Sequence, residues 1–144
     1  MMNNCNKTRL FACLLLLFSF QLFFTSCKKD DPDPVDQRIN ELTATWKVNT
    51  VENDNVDVTQ QYEGFTLTIS GQNYTTTNGG NPWPSAGTYE ITAEDLSTIR
   101  RSDGTNITID SITGDELILS FNFNTLASGR AKGVTGNFTF SLTR

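Results

Sequence analysis

The stretch that decides the fold is Glu116–Phe123, "ELILSFNF", in which apolar and polar residues alternate. Its apolar side chains, at every second position, are those of Leu117, Leu119, Phe121 and Phe123. An amphipathic helix would space them three or four residues apart, whereas a period of two is typical of a strand with one buried face. The stretch therefore predicts a β-strand that turns these four side chains towards a core.

The same alternation recurs along most of the chain. Further strands are predicted at Phe65–Ser70 and Asn137–Arg144, at the shorter patterns Trp46/Val48, Tyr89/Ile91 and Ile107/Ile109, and more weakly at Tyr74–Thr77 and Thr98–Arg101. A single helical turn is predicted near Gln37–Thr43, and no longer helical pattern competes with the strands. The chain is therefore expected to be all-β, with eight short strands.

The turn signals suggest how these strands are connected. Asp103-Gly104 lies between two strand-like runs and is a strong hairpin signal. Asn78–Gly87 contains two prolines and predicts a longer loop, and Asn124–Asn137 is expected to be the longest connection. Eight antiparallel strands predict a small up-and-down barrel, in which closure removes the exposed edges. A β-sandwich would produce the same alternation and remains the alternative.

Composition excludes several classes of function. The chain has 144 residues, enough for one domain, and it contains no histidine. Its three cysteines, Cys5, Cys13 and Cys27, all lie in the first 27 residues, so no disulfide or Cys/His metal site is expected downstream. The net charge of −5 argues against binding to nucleic acid. Neither a metal site nor a cofactor is predicted.

The amino-terminal segment has the features of an export signal. Lys7 and Arg9 precede Leu10–Phe24, an apolar run that only Ser19 and Gln21 interrupt. This run is short for a membrane-spanning helix, which needs roughly 20 residues, but it suits the apolar region of a signal peptide. Residues 1–26 are therefore predicted to be a signal peptide; a retained membrane anchor is the alternative.

The residues after the apolar run carry a resemblance. "FTSC", Phe24–Cys27, resembles the lipobox of bacterial lipoproteins, which implies that Cys27 becomes the lipidated first residue of the mature chain. "KKDD", Lys28–Asp31, resembles the acidic tag of Bacteroidetes lipoproteins on the outer face of the outer membrane. The alternatives are a free cysteine and a merely solvated linker. The expected organisation is a signal peptide over 1–26, a lipidated, acidic, flexible linker over 27–40, and one domain over 41–144.

A second resemblance concerns that domain. "ELTATWKV", Glu41–Val48, is similar to the opening of lipocalin-like domains, and the pattern from Leu42 to Arg144 looks like the small lipocalin-like domains of Bacteroidetes lipoproteins. The family implies that a basic residue after the last strand stacks on the first-strand tryptophan and closes the base of the barrel. Arg144 is the candidate partner of Trp46, because it continues the inward row of the last strand. An ordinary charged chain end is the alternative.

The aromatic residues are the candidate ligand-binding set. They are Trp46, Tyr89, Phe121 and Phe123 on strands and Trp83 in the proline-flanked loop. An eight-stranded barrel is just wide enough to be filled by its side chains or to hold one small ligand, so both outcomes remain open. Trp83 would suit stacking on a sugar or a partner if exposed, and it could equally cap the barrel mouth.

Two functions remain, and neither is enzymatic. No carboxylates converge in the sequence pattern: Glu90 and Asp110 are expected to point outwards, and most other aspartates lie in turns. The first hypothesis is a lipid-anchored envelope lipoprotein that binds a small hydrophobic ligand. The second is a surface interaction or structural protein whose solid barrel binds a protein or glycan through its loops. The sequence predicts no oligomeric state.

Overall fold

The computed structural model describes residues 31–124 and 134–144 of the chain. Its elements are α1 (Pro34–Leu42), β1 (Thr45–Asn53), β2 (Val56–Asp57), a 3-10 helix (Thr59–Tyr62), β3 (Thr66–Ser70), β4 (Asn73–Thr77), β5 (Ala86–Thr92), β6 (Asp95–Arg101), β7 (Asn106–Ile112), β8 (Glu116–Asn124) and β9 (Thr135–Thr143). The longer strands follow the alternating stretches of the sequence; β8 and β9, for example, each bury one row of apolar side chains.

The strands close into a barrel. Every neighbouring pair is antiparallel, in the order β1-β3-β4-β5-β6-β7-β8-β9, and β9 pairs back onto β1. The remaining strand, β2, is a two-residue extension that pairs with the end of β1. The prediction of an all-β, eight-stranded antiparallel barrel is confirmed, and the alternative of a β-sandwich is wrong, because a sandwich would leave two sheets open at their edges.

A β-bulge in β1 changes which side chains reach the core. The register between β1 and β9 shifts between Val48 and Thr50, so one extra residue is accommodated there. As a result Trp46 and Val51, five positions apart, are both fully buried, although strict alternation would turn Val51 outwards. Val48, which the alternation predicts to face inwards, is half-buried against the core.

One end of the barrel, here called the base, is covered by α1. Asp33 caps this helix, since its carboxylate accepts a hydrogen bond of 2.8 Å from the backbone N–H of Val35, and Pro34 occupies the first turn. Leu42, at the end of the helix, is fully buried. The helix is longer than the single turn predicted near Gln37–Thr43, and it begins within the segment 27–40 that the sequence assigns to the linker.

The opposite end, here called the upper end, carries the 3-10 helix, the β4–β5 loop and the β6–β7 turn. The predicted Asp103-Gly104 hairpin is present between β6 and β7, with Gly104 at a φ of 90°. The predicted loop Asn124–Asn137 is shorter than expected, because β8 extends to Asn124 and β9 begins at Thr135. Residues 125–133 of that loop lie outside the described residues.

Candidate functional site

Trp83 lies inside the barrel, so the reading of an exposed indole is wrong. Its side chain is 4% exposed, and the preceding Pro82 is also buried. The loop is fastened to β4 by two hydrogen bonds: Thr76 donates its backbone N–H to the carbonyl of Ser85 (2.9 Å) and its hydroxyl to that of Pro84 (2.8 Å). The loop therefore folds into the upper end and carries the indole into the core, where it caps the barrel mouth.

The indole of Trp83 is the centre of an aromatic cluster. Its ring centroid lies 5.5–6.0 Å from the rings of Phe65, Tyr74, Phe121 and Phe140, in edge-on or tilted arrangements. Aromatic pairs at such distances contribute about 0.5–1.5 kcal/mol each beyond the area that they bury. The indole Nε1 is also buried, and it has no hydrogen-bond partner among the described residues. The cluster is thus held by ring packing.

Arg101 is a buried cation that the sequence analysis missed. It is 2% exposed, and its guanidinium lies 5.1 Å from the ring of Trp83 and 5.9 Å from that of Phe121. Nη1 donates to the carbonyl oxygen of Pro82 at 2.8 Å, which ties the Trp83 loop to the end of β6. The parity of the strand could have revealed it, because Arg101 lies two positions after the buried Ile99.

Asp103 supplies the counter-charge. Its carboxylate accepts hydrogen bonds from Nε (3.2 Å) and Nη2 (2.5 Å) of Arg101, and from the backbone N–H of Thr105 at 3.0 Å. Burial raises the pKa of Asp103. The hydrogen bonds and positive charge of Arg101, together with the hydrogen bonds from Thr105, outweigh this effect and leave the pKa below its ordinary value. Asp103 is therefore held ionised and in one orientation, with its side chain 39% exposed.

The barrel interior is filled. The cavity between Trp83, Tyr89 and Arg101 has a volume of about 10 Å³, close to the space that one water molecule needs. Pockets that hold small organic ligands measure about 300–1,000 Å³. Of the two outcomes left open by the sequence, the described residues show a core packed by side chains.

The five aromatic candidates do not form one site. Trp83 and Tyr89 line the small cavity, and Phe121 packs against Trp83. Phe123 is half-buried at the rim of the upper end, where it borders a groove on the outside. Trp46 lies at the base, with its Nε1 donating to the carbonyl of Leu42 at 2.9 Å. The residue predicted to be lipidated, Cys27, lies outside the described residues.

Trp46 and Arg144 form the contact that the resemblance implies. The guanidinium carbon of Arg144 lies 4.6 Å from the ring of Trp46, and Nη2 donates to the carbonyl of Glu41 at 2.9 Å. The side chain thus joins the end of β9 to both α1 and β1.

We expect Arg144→Gln to lower the free energy of unfolding by about 0.5–1 kcal/mol, the value of a cation–π contact at an exposed site. Urea denaturation followed by tryptophan fluorescence measures this change. Arg100→Gln is the matched control, because it removes the same charge from an exposed position on β6. Equal losses in the two variants would contradict a specific role for the contact.

All three tyrosines of the chain are buried. Burial raises the pKa of Tyr62 and Tyr74 above the ordinary 10.0, and raises that of Tyr89 to about 12. The hydroxyl of Tyr89 donates to the carbonyl of Gly71 at 2.8 Å. The native state therefore favours the neutral phenols, whereas the unfolded chain ionises them near pH 10.

Stability should accordingly fall as the pH rises above about 10, because only the unfolded state then loses phenolic protons. We expect phenolate absorbance to appear late and together with the loss of the native circular dichroism signal. Protein unfolded in guanidinium chloride is the control, and it should titrate near pH 10. A native titration at pH 10 with the fold intact would contradict the burial of these hydroxyls.

A groove of about 510 Å³ runs along the outside of the upper end, between the β6–β7 turn and the end of β8. It is lined by Asp103, Gly104, Thr105, Asn106, Asn122, Phe123 and Asn124. Asn122 is fixed in orientation because its Nδ2 donates to Oδ1 of Asn137 at 2.9 Å, and Asn137 in turn donates to the carboxylate of Asp54. Of this set, the sequence indicated Phe123 as a candidate ligand-binding residue and Asp103-Gly104 only as a turn.

No group of three or more His, Cys, Asp or Glu side chains in residues 31–124 and 134–144 could hold a metal ion. In the same residues no helix is long and apolar enough to cross a membrane.

The fold defines the class of protein: a small closed eight-stranded antiparallel β-barrel with a filled interior, compatible with a lipocalin-like fold. No protein-family profile, curated protein or solved structure shows a significant match to the chain.

Proposed function

We propose that this protein is a lipid-anchored lipoprotein of the cell envelope whose solid barrel binds a partner through its loops and outer face. The proposal takes up the second of the two functions that the sequence left open. It includes no catalytic activity and no cofactor.

The observation that carries the proposal is the filled interior. Trp83 and its ring neighbours occupy the space in which an eight-stranded barrel would hold a ligand, and the remaining cavity is about 10 Å³. The outward-facing residues of the strands and the described turns other than the β4–β5 loop, in contrast, are mostly polar and accessible. A filled interior and a polar outer surface together favour recognition on the outside of the barrel.

The anchor is supported by the amino-terminal sequence. A basic start, an apolar run and Cys27 follow one another as in a lipoprotein signal, and two or three acyl chains hold a protein on a bilayer almost permanently. We propose that the acyl chains lie in the outer membrane. The acidic residues after Cys27 favour display on the cell exterior, by their resemblance to the export tag.

A small hydrophobic ligand is the second candidate, and one observation favours it. Trp83 enters the core from a loop rather than from a strand, and its buried Nε1 lacks a partner among the described residues. An unpaired buried donor costs about 1–3 kcal/mol. If the loop moved outwards, water could hydrate Nε1, and the free energy regained would offset part of the packing lost in the movement. Such a movement would open space beside Tyr89 and Arg101.

Two measurements on protein extracted from membranes test the proposal. Intact mass should show the loss of residues 1–26 and the addition of acyl groups, and Cys27→Ser should abolish the addition. Native mass spectrometry in a mild detergent should show no co-purifying small molecule. A bound apolar molecule in stoichiometric amount would favour the second candidate, and an unmodified Cys27 would overturn the anchor.

A further inference from the structure

The groove at the upper end has the composition of a saccharide site. Its lining offers amide, hydroxyl and carboxylate groups, from Asp103, Thr105, Asn106, Asn122 and Asn124, and one aromatic residue, Phe123. Sugars present alternating hydroxyl donors and acceptors on their edges and an apolar C–H face, and amide side chains offer both a donor and an acceptor. The groove measures about 510 Å³ and is open to solvent.

Two of the polar groups are held in place before any ligand arrives. The carboxylate of Asp103 is oriented by Arg101 and by the backbone of Thr105; these three hydrogen bonds use both lone pairs of Oδ1 and one of Oδ2, which leaves one acceptor site on Oδ2. The amide of Asn122 is oriented by its bond to Asn137, which leaves its Oδ1 directed away from that bond. Groups that are already ordered lose less conformational entropy on binding.

Phe123 supplies an apolar surface of limited size. Phe123 is half-buried against the core and is one of the residues that line the groove. A single aromatic surface is less than a protein interface requires, because such interfaces depend on a central cluster of buried anchor residues. One sugar ring, in contrast, needs only one aromatic face of this kind.

The charge of the groove selects among saccharides. Among the described residues that line it, Asp103 alone is charged, and the buried Arg101 already neutralises part of that charge. No lysine or arginine in the described part of the chain lines it, so sulfated, phosphorylated or uronic-acid chains would meet no counter-charge there. We propose that the groove binds a neutral saccharide chain, an inference that rests on the proposed function and names its partner class.

Nuclear magnetic resonance titration of the mature full-length protein tests this, in a detergent without a sugar headgroup. The probes are the neutral hexasaccharides cellohexaose, mannohexaose and maltohexaose. We expect at least one to bind, with shifts concentrated at the backbone amides of residues 103–106 and 122–124. Binding of none of the three, or shifts spread evenly over the barrel, would overturn the proposal.

Three variants make the test specific. Asn106→Ala and Asn124→Ala should each weaken binding by about threefold or more, as expected for one lost hydrogen bond. Phe123→Leu keeps an apolar side chain but removes the ring face, and it should weaken binding by about tenfold. Asn73→Ala, at an exposed position on β4 that does not line the groove, is the control and should bind as the native protein does. Equal losses in all four variants would overturn the site.

Crosslinking on intact cells distinguishes a failure of the saccharide site from a failure of the proposed function. A protein partner captured by a chain that binds none of the saccharides would overturn the saccharide site and leave the proposed function standing. A chain that carries no acyl group on Cys27 yet binds a saccharide in the groove would overturn the lipid anchor and leave the saccharide site standing.

Discussion

Replacing Trp83 with alanine should lower the free energy of unfolding by about 3–5 kcal/mol, the range found when a large buried aromatic side chain is removed. The indole contacts four aromatic rings and the guanidinium of Arg101, so its loss leaves a cavity in the upper half of the core. Typical domains have only 5–15 kcal/mol of stability, so the variant should be close to unfolding at physiological temperature. Chemical denaturation followed by far-ultraviolet circular dichroism measures the change.

Trp83→Phe is the matched control for this prediction. It retains an aromatic ring and most of the buried area, and it also removes the unpaired Nε1–H, so we expect less than half of the alanine effect. A loss below about 1 kcal/mol in Trp83→Ala would show that the loop does not hold the indole in the core in solution. That result would reopen the barrel as a ligand site.

The second large effect is expected at Arg101. Arg101→Ala should lower the free energy of unfolding by about 2–4 kcal/mol, because it removes the cation–π contact with Trp83 and the hydrogen bond to Pro82. The cost is smaller than for a fully buried ion pair, since the carboxylate of Asp103 is partly exposed and can be hydrated once its partner is gone.

Arg101→Met separates packing from charge. Methionine fills much of the same volume but has no hydrogen-bond donors. The difference in free energy of unfolding between the methionine and alanine variants therefore measures the cost of the cavity. The difference between the native protein and the methionine variant measures the polar contacts. A methionine variant as stable as the native protein would contradict the role that we assign to the hydrogen bond between Arg101 and Pro82. Thermal and urea denaturation at neutral pH provide both comparisons.

The ion pair between Arg101 and Asp103 makes the free energy of unfolding depend on pH in the acid range. The pKa of Asp103 in the folded state lies below the ordinary 3.8, so its contribution is fully present above that pH and is lost as the pH falls through the folded value. Hydrogen bonds from Ser97 and Thr98 lower the pKa of Asp95 to about 2. Protonation of Asp95 in acid therefore also lowers the stability, but equally in the native protein and in Arg101→Met. The difference between native protein and Arg101→Met should therefore shrink between neutral pH and about pH 3. A constant difference would contradict the coupling.

Local alternation accounts for most of what was predicted correctly. Each strand buries side chains from one row, so a period of two in "ELILSFNF" or "FTLTIS" was enough to locate β8 and β3 and to orient their residues. The pairing of Trp46 with Arg144 followed from a resemblance together with the parity of β9. The Asp103-Gly104 turn was identified by its own residue types.

The position of Trp83 could not be predicted in this way. A loop has no period, and the indole enters the core because Thr76 and Arg101 hold the backbone on both sides of it, contacts that join residues far apart in the chain. The groove has the same origin, since Asn106 and Asn122 become neighbours only when β7 and β8 pair. Val51 reaches the core through a bulge that no local pattern marks.

By itself, then, the sequence determined an all-β chain of eight alternating strands, because the direction of a side chain in a strand depends only on its position along that strand. Only the tertiary structure decided between barrel and sandwich, and between a hollow and a filled interior. Closure depends on β9 meeting β1, and filling depends on how much volume one loop places inside the closed sheet. Both are properties of contacts between distant residues, which periodicity does not encode.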